Sequence, residues 1–162
     1  MARVCRTLVV GLGGLILACG HATPPAPPQP VPFSHKVHVG VNQIGCGMCH
    51  CYASQSSIAG VPSVARCHGC HKFVDKDKPD IQFINKAFDD GKPIVWNRVY
   101  RVPDHVYFTH QRHVAAGLLC QHCHGPVEQM DVIQREAPLT MGWCLECHHT
   151  RNADTDCLTC HK

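Results

Sequence analysis

The sequence lacks a hydrophobic run long enough to cross a membrane. Its apolar stretch near the N-terminus, Leu8 to Ala18, is shorter than the roughly 20 residues that a membrane-spanning helix needs. It also lacks a strong excess of charge, with 15 Lys and Arg against 12 Asp and Glu. A formal net charge of +3 gives no support for nucleic-acid binding. We therefore expect neither a helical membrane protein nor a nucleic-acid-binding protein.

Cysteine and histidine are abundant, with 13 and 14 residues. Ten of the cysteines lie in five copies of Cys-x-x-Cys-His, the attachment signature of c-type haem. In a helical turn the two cysteines are neighbours and the histidine lies over the same face, so two thioethers could hold a haem while the histidine binds its iron. We number these attachment units in chain order: unit 1 is Cys46, Cys49 and His50; unit 2 is Cys67, Cys70 and His71; unit 3 is Cys120, Cys123 and His124; unit 4 is Cys144, Cys147 and His148; unit 5 is Cys157, Cys160 and His161.

Structural zinc and disulfides are the alternatives for so many cysteines. Zinc sites combine two Cys-x-x-Cys pairs or add a distant pair of histidines, and they do not require a histidine after each second cysteine. With 14 histidines in 162 residues, five such coincidences have odds on the order of one in 10⁵. The sequence therefore predicts five covalently bound haems.

Two similar segments carry paired histidines ahead of units 1 and 3. Residues 33–39 read Phe-Ser-His-Lys-Val-His-Val and residues 108–114 read Phe-Thr-His-Gln-Arg-His-Val. We call them the first clip and the second clip. Because one iron has a single distal position left, we expect the two histidines of a clip to bind two different haems. The predicted distal ligands are His35, His38, His110 and His113.

Four clip histidines leave one of five irons without a distal ligand. The alternatives for this position are Met130, Met141, His149 and His105. A methionine would raise the potential of its haem relative to a second histidine. We do not expect His68 or His122 to serve, since both lie inside attachment loops that a haem edge already holds.

The chain divides into three parts. Residues 1–18 are predicted to be a lipoprotein-type export signal, residues 19–32 a Pro-rich tether, and residues 33–162 a single domain. The sequence Leu-Ala-Cys-Gly at residues 17–20 resembles a lipobox, which implies a lipid anchor on Cys19; the alternative is an ordinary cleaved signal in which Cys19 has no role. Within the domain, repeats 33–71 and 108–161 flank a connector, 72–107, without attachment units.

A domain of this size with five haems has a limited core of its own. We expect a mainly α fold with extensive irregular loops, whose core is largely haem. In the connector, Ile81, Ile84 and Phe88 fit one face of a short helix that Gly91 could end. Residues 94–100 are β-prone and apolar, which favours packing in the core; packing against a haem or a partner is the alternative.

The clips and attachment units resemble class III multihaem cytochromes. A closer resemblance, to the pentahaem cytochrome subunit of alternative complex III, is carried by residues 91–148. The segments that match are Gly-Lys-Pro-Ile-Val-Trp at 91–96, Val-Pro-Asp at 102–104, the second clip, unit 3 with Gly125, Gln-Met-Asp at 129–131, and Leu-Thr-Met-Gly-Trp-Cys-Leu-Glu-Cys-His at 139–148. That family subunit is often held by a membrane-spanning helix, whereas this leader resembles a lipobox.

This resemblance implies electron transfer on the periplasmic face of a bacterial membrane, from a quinol-oxidising complex to a downstream acceptor. The partners would be the other subunits of that complex or soluble redox proteins. A free-standing tethered shuttle is one alternative. A multihaem reductase of nitrite or hydroxylamine is another, and it would need one iron with an open distal position and nearby proton donors.

The number of haems is testable by intact mass spectrometry of the purified protein. We expect a mass that corresponds to the mature polypeptide plus five haem c groups, since each attachment unit forms two thioether bonds. A mass that fits four haems or fewer would contradict the prediction.

The lipid anchor is testable with Cys19→Ala. This substitution removes the thiol that would carry the lipid, so the variant should appear as soluble haem protein while the wild type sediments with membranes. Cys5→Ala, also in the leader, is the matched control and should remain in the membrane fraction. A wild-type protein that is already soluble would rule the anchor out.

Overall fold

The computed structural model describes residues 3–10 and 14–21 as backbone, and residues 25–161 in full. The elements in chain order are β1 Arg3–Val10, β2 Gly14–His21, a π-helix Lys36–Val41, α1 Cys46–Cys49, α2 Val64–His71, α3 Pro79–Asp89, α4 His110–Ala115, α5 Gln121–His124, a 3-10 helix Val127–Gln129, α6 Met141–Thr150 and α7 Cys157–Cys160.

Strands occur only in the leader among the described residues. β1 and β2 pair as an antiparallel hairpin in which Cys5 lies opposite Cys19. Between residues 25 and 161 the structure has short helices and long irregular connections, with one isolated bridge between Val106 and His161. The predicted mainly α fold with extensive loops is confirmed.

No helix in the described ranges has both the length and the apolar character needed to cross a bilayer. The predicted lipid site, Cys19, lies within β2, where the side chains are outside the described part of the chain. The anchor therefore stays a prediction.

The small apolar core is built by α3 and the residues around it. Ile81 and Ile84 are 9% and 5% exposed and form a cluster with Val31, as the periodicity of the connector predicted for the two isoleucines. Phe88 instead turns away from this cluster: it is 41% exposed and its ring stacks on that of His68 at 3.9 Å. The helix ends where predicted, because Gly91 has a φ of +66°, a left-handed conformation that suits glycine.

The segment before the first clip is docked on the domain. The Gln29 side chain donates to the Asn97 carbonyl at 2.9 Å and accepts from the Asn97 amide at 3.0 Å. Val31, two residues further, is 4% exposed and belongs to the core cluster. The last residues of the predicted tether therefore contribute to the fold.

The β-prone residues 94–100 do not form a strand, in keeping with the interpretation that they pack in the core. No neighbouring strand exists in the described part of the domain to pair with them. Ile94 and Trp96 are partly buried against the core cluster instead, and their side chains serve packing rather than a sheet.

Each clip docks on the other repeat. In the first clip, the Lys36 amide donates to the Met130 carbonyl at 2.9 Å, and the Ser34 hydroxyl donates to Asp131 at 2.8 Å. In the second clip, the Gln111 amide donates to the Ser56 carbonyl at 3.0 Å. The two repeats are thereby interlocked.

Gly40 allows the close approach of the first clip to the 3-10 helix, and this is testable by substitution. A Cβ at Gly40 would collide with the backbone carbonyl of Glu128, whereas one at Gly45 would meet nothing within 4 Å. We expect Gly40→Ala to lower the free energy of unfolding by about 1–3 kcal/mol, the usual cost of overpacking. Guanidinium denaturation followed by circular dichroism measures this. The contact has no importance if Gly40→Ala is as stable as the control Gly45→Ala.

Candidate haem sites

The five attachment units adopt helical turns. α1 and α7 begin and end at the two cysteines of units 1 and 5, α2 ends on the histidine of unit 2, α5 covers most of unit 3, and α6 contains all of unit 4. A helical turn places both thiols of a unit and its histidine on one face. In units 2, 3 and 4 the histidine lies within the helix, and in units 1 and 5 it directly follows the helix as its C-cap residue.

The cysteine thiols of the fully described range form no disulfide bonds. All eleven cysteines in the fully described range, including Cys51, are unpaired. The same range contains no group of three or more His, Cys, Asp or Glu side chains arranged to hold a metal ion. Neither of the alternatives for these cysteines, zinc or disulfides, has a site in the described residues.

The thiols of neighbouring units influence one another electrostatically. Burial raises the pKa of Cys67 and the Cys49 thiol raises it further, which joins units 2 and 1. Burial also raises the pKa of Cys120, with the Cys46 thiol contributing next, which joins units 1 and 3. Such effects act over about 4–6 Å.

Units 3 and 4, and units 4 and 5, are related by the same kind of interaction between thiols. Burial followed by the thiols of unit 4 raises the pKa of Cys123, and burial followed by Cys160 raises the pKa of Cys144. Each unit is therefore near the next in the series 2, 1, 3, 4, 5.

Four of the five unit histidines, those of units 2 to 5, are paired with another histidine. Two imidazoles on opposite sides of one metal, each bonded at about 2 Å, have ring centres roughly 6 Å apart. Four pairs of ring centres match this spacing: His38 and His71 at 5.9 Å, His110 and His124 at 6.3 Å, His113 and His148 at 6.2 Å, His105 and His161 at 5.6 Å.

Most histidine rings of the units and clips are oriented by a hydrogen bond from Nδ1 to a backbone carbonyl. Because a carbonyl can only accept, Nδ1 carries the proton and Nε2 keeps its lone pair for a metal. The bonds are His38 to Ser34 at 2.8 Å, His50 to Gly60 at 2.7 Å, His71 to Val74 at 3.2 Å, His110 to Ser57 at 2.9 Å, His113 to Thr109 at 2.8 Å, His148 to Asp154 at 2.6 Å and His161 to His105 at 3.3 Å.

The surroundings also suit a large apolar cofactor. Within residues 25–161 the buried apolar side chains are Val31, Ile81, Ile84 and Ala137, while seventeen large hydrophobic side chains are exposed. Several of the exposed ones lie in or beside the units and clips, namely Met48, Val114, Leu119 and Leu158. The free thiols, the paired imidazoles and these apolar surfaces together fit haem.

Two comparisons with known proteins agree with this geometry. Residues 106–162 match the family described as cytochrome c7 and related cytochrome c. The chain is also 32% identical, over 161 residues, to the multihaem cytochrome c subunit of menaquinone reductase from Nitratidesulfovibrio vulgaris (strain Hildenborough), covering 83% of this chain and 77% of that one. The chain belongs to the multihaem c-type cytochromes. It therefore carries covalently bound haem c.

In this cytochrome the remaining clip histidine, His35, lies next to unit 1. Its pKa is lowered to about 4, first by burial and then by the neighbouring rings of His50, His38 and His124. It is therefore neutral at pH 7, the form in which imidazole binds metals. Its Nδ1 is buried without a hydrogen-bond partner, which sets it apart from the other clip histidines.

The four alternatives for the fifth distal position differ in their placement. His105 pairs with the histidine of unit 5. Met141 is 64% exposed, and His149 is exposed and forms no ring pair in the described part of the cytochrome. Met130 is half-buried, and its carbonyl holds the first clip.

Two further aromatic residues support the clip histidines. Phe33 lies against both histidines of the first clip, with ring centres 4.8 and 4.3 Å away, and Phe108 lies against those of the second clip at 4.8 and 4.6 Å. Both phenylalanines stand at the same position of their clips. The repetition of Phe in the two clips was the signal that could have revealed this role.

Proposed function

We propose that this cytochrome transfers electrons through five haems, one on each attachment unit, for a quinone-linked complex on the periplasmic face of a membrane. The pairing of histidine rings at the spacing of two imidazoles around one metal carries the proposal. The proximal ligands would be His50, His71, His124, His148 and His161, and the clips would supply the distal ligands of units 1 to 4, with His35 facing unit 1. A c-type haem supplies reversible one-electron exchange at its iron.

The polypeptide's part is to hold the attachment points in series. The proximity of thiols in successive units places neighbouring attachment points close together along the whole series. Unit 2 and unit 5 are its first and last members. A series of this kind suits transport between two partners, one at each end, and needs no substrate pocket.

The membrane partner is proposed from two resemblances. Residues 91–148 are similar to the pentahaem subunit of alternative complex III, which supports a partner that oxidises quinol. The lipobox-like residues 17–20 would hold the cytochrome at the membrane through Cys19. A shuttle tethered by Cys19 alone would use the same series of haems.

The opposite direction of electron flow is a second candidate. The relative from Nitratidesulfovibrio vulgaris is a subunit of a menaquinone reductase. By this resemblance the cytochrome would deliver electrons to a quinone instead of receiving them from a quinol. The arrangement of the units is compatible with both directions.

Absorbance of the cytochrome in its own membranes tests the function and its direction. A short-chain quinol should reduce the haems if the partner oxidises quinol, and a short-chain quinone should oxidise the prereduced haems if the partner reduces it. The same cytochrome purified away from membranes should respond slowly to both, because the proposal assigns the quinone site to a membrane partner. Co-purification with quinone-binding subunits would identify a complex. Membranes in which neither reagent changes the haem spectrum would contradict the proposal.

A further inference from the structure

We infer that His105 is the distal ligand of the iron at unit 5. This inference rests on the proposed function, since it assumes that unit 5 carries a haem. His105 lies outside both clips, in the connector, and it is paired with the unit 5 histidine in the way that the clip histidines are paired with the histidines of units 2 to 4.

The ring geometry is the first argument. The rings of His105 and His161 have centres 5.6 Å apart and planes at 19°. The three pairs formed by clip histidines span 5.9 to 6.3 Å. The pair at unit 5 differs from these by a few tenths of an ångström, a change that a small shift of an exposed side chain can supply.

The backbone around His105 is the second argument. Val106 forms a bridge with His161, and the Tyr107 amide donates to the Cys160 carbonyl at 2.7 Å. The His161 ring donates from Nδ1 to the carbonyl of His105 itself at 3.3 Å. Three contacts thus fasten the segment that carries His105 to unit 5 and orient the proximal ring.

The other three candidates for this position, Met130, Met141 and His149, are not paired with the unit 5 histidine. Met130 belongs to the segment that docks the first clip, through its carbonyl and the neighbouring Asp131. Met141 stands at the first position of α6 and is 64% exposed. His149 is exposed on the same helix and has no ring partner among residues 25–161.

This assignment gives every iron an imidazole on both sides. No iron is then left open for a small substrate, which argues against the reductase of nitrite or hydroxylamine that the sequence allowed. It also excludes a methionine as the distal ligand at unit 5. The higher haem potential that a methionine ligand confers is then not expected there.

The test is His105→Ala in the full-length ferric holoprotein. His105 is exposed, and the substitution leaves all ten attachment cysteines in place, so intact mass should still show five haems. Electron paramagnetic resonance should show only low-spin iron in the wild type and about one fifth of the iron as high-spin in the variant. Added imidazole should restore the low-spin signal of the variant, a rescue that a merely structural defect would not show.

His149→Ala and Met141→Ala are the matched controls and should keep the wild-type spectrum. His105→Met offers a ligand in the same position, so it should remain low-spin and raise the midpoint potential of one haem. A high-spin fifth of the iron in the wild type, or in either control, would overturn the assignment and leave the five-haem proposal intact. A mass that lacks a haem in the wild type would overturn the proposed function itself.

Discussion

The main constraint on this domain is the small number of apolar side chains buried in its interior. Fixing the backbone of each residue costs about 1–2 kcal/mol, and the four buried apolar side chains between residues 25 and 161 offset little of this. A covalently attached macrocycle supplies apolar surface that the polypeptide does not have. The short helices follow from the same constraint, since each needs to present only one attachment unit and a few contacts.

Placement of the ligand histidines comes from the backbone more than from side chains. Seven of the rings in the units and clips donate from Nδ1 to a carbonyl, and only His38 and His113 find that carbonyl within their own clip, four residues earlier. For His110 the acceptor belongs to Ser57, in the other repeat. The docking of the second clip on the opposite repeat therefore orients the His110 ring as well as holding the two repeats together.

The sequence predicted the features that are encoded locally. The Cys-x-x-Cys-His spacing identified the helical attachment units, and the spacing of Ile81 and Ile84 identified α3 and its buried face. Features that depend on long-range contacts were not predictable in this way. Residues 94–100 have strand propensity without a partner strand, and Val31 enters the core because Gln29 binds Asn97 across 68 positions of sequence. The carbonyls that orient the histidines carry no side-chain signal at all.

The order of the units in space follows from how the clips are shared. The first clip lies beside units 1 and 2, and the second clip lies beside units 3 and 4. The clips dock across the repeats, and this brings units 1 and 3 into contact through Cys46 and Cys120. Unit 2 lies near unit 1, while unit 5 lies near unit 4 and is fastened by the end of the connector. Chain order and spatial order therefore differ. The docking of each clip on the other repeat brings unit 1 next to unit 3, and the end of the connector fastens unit 5.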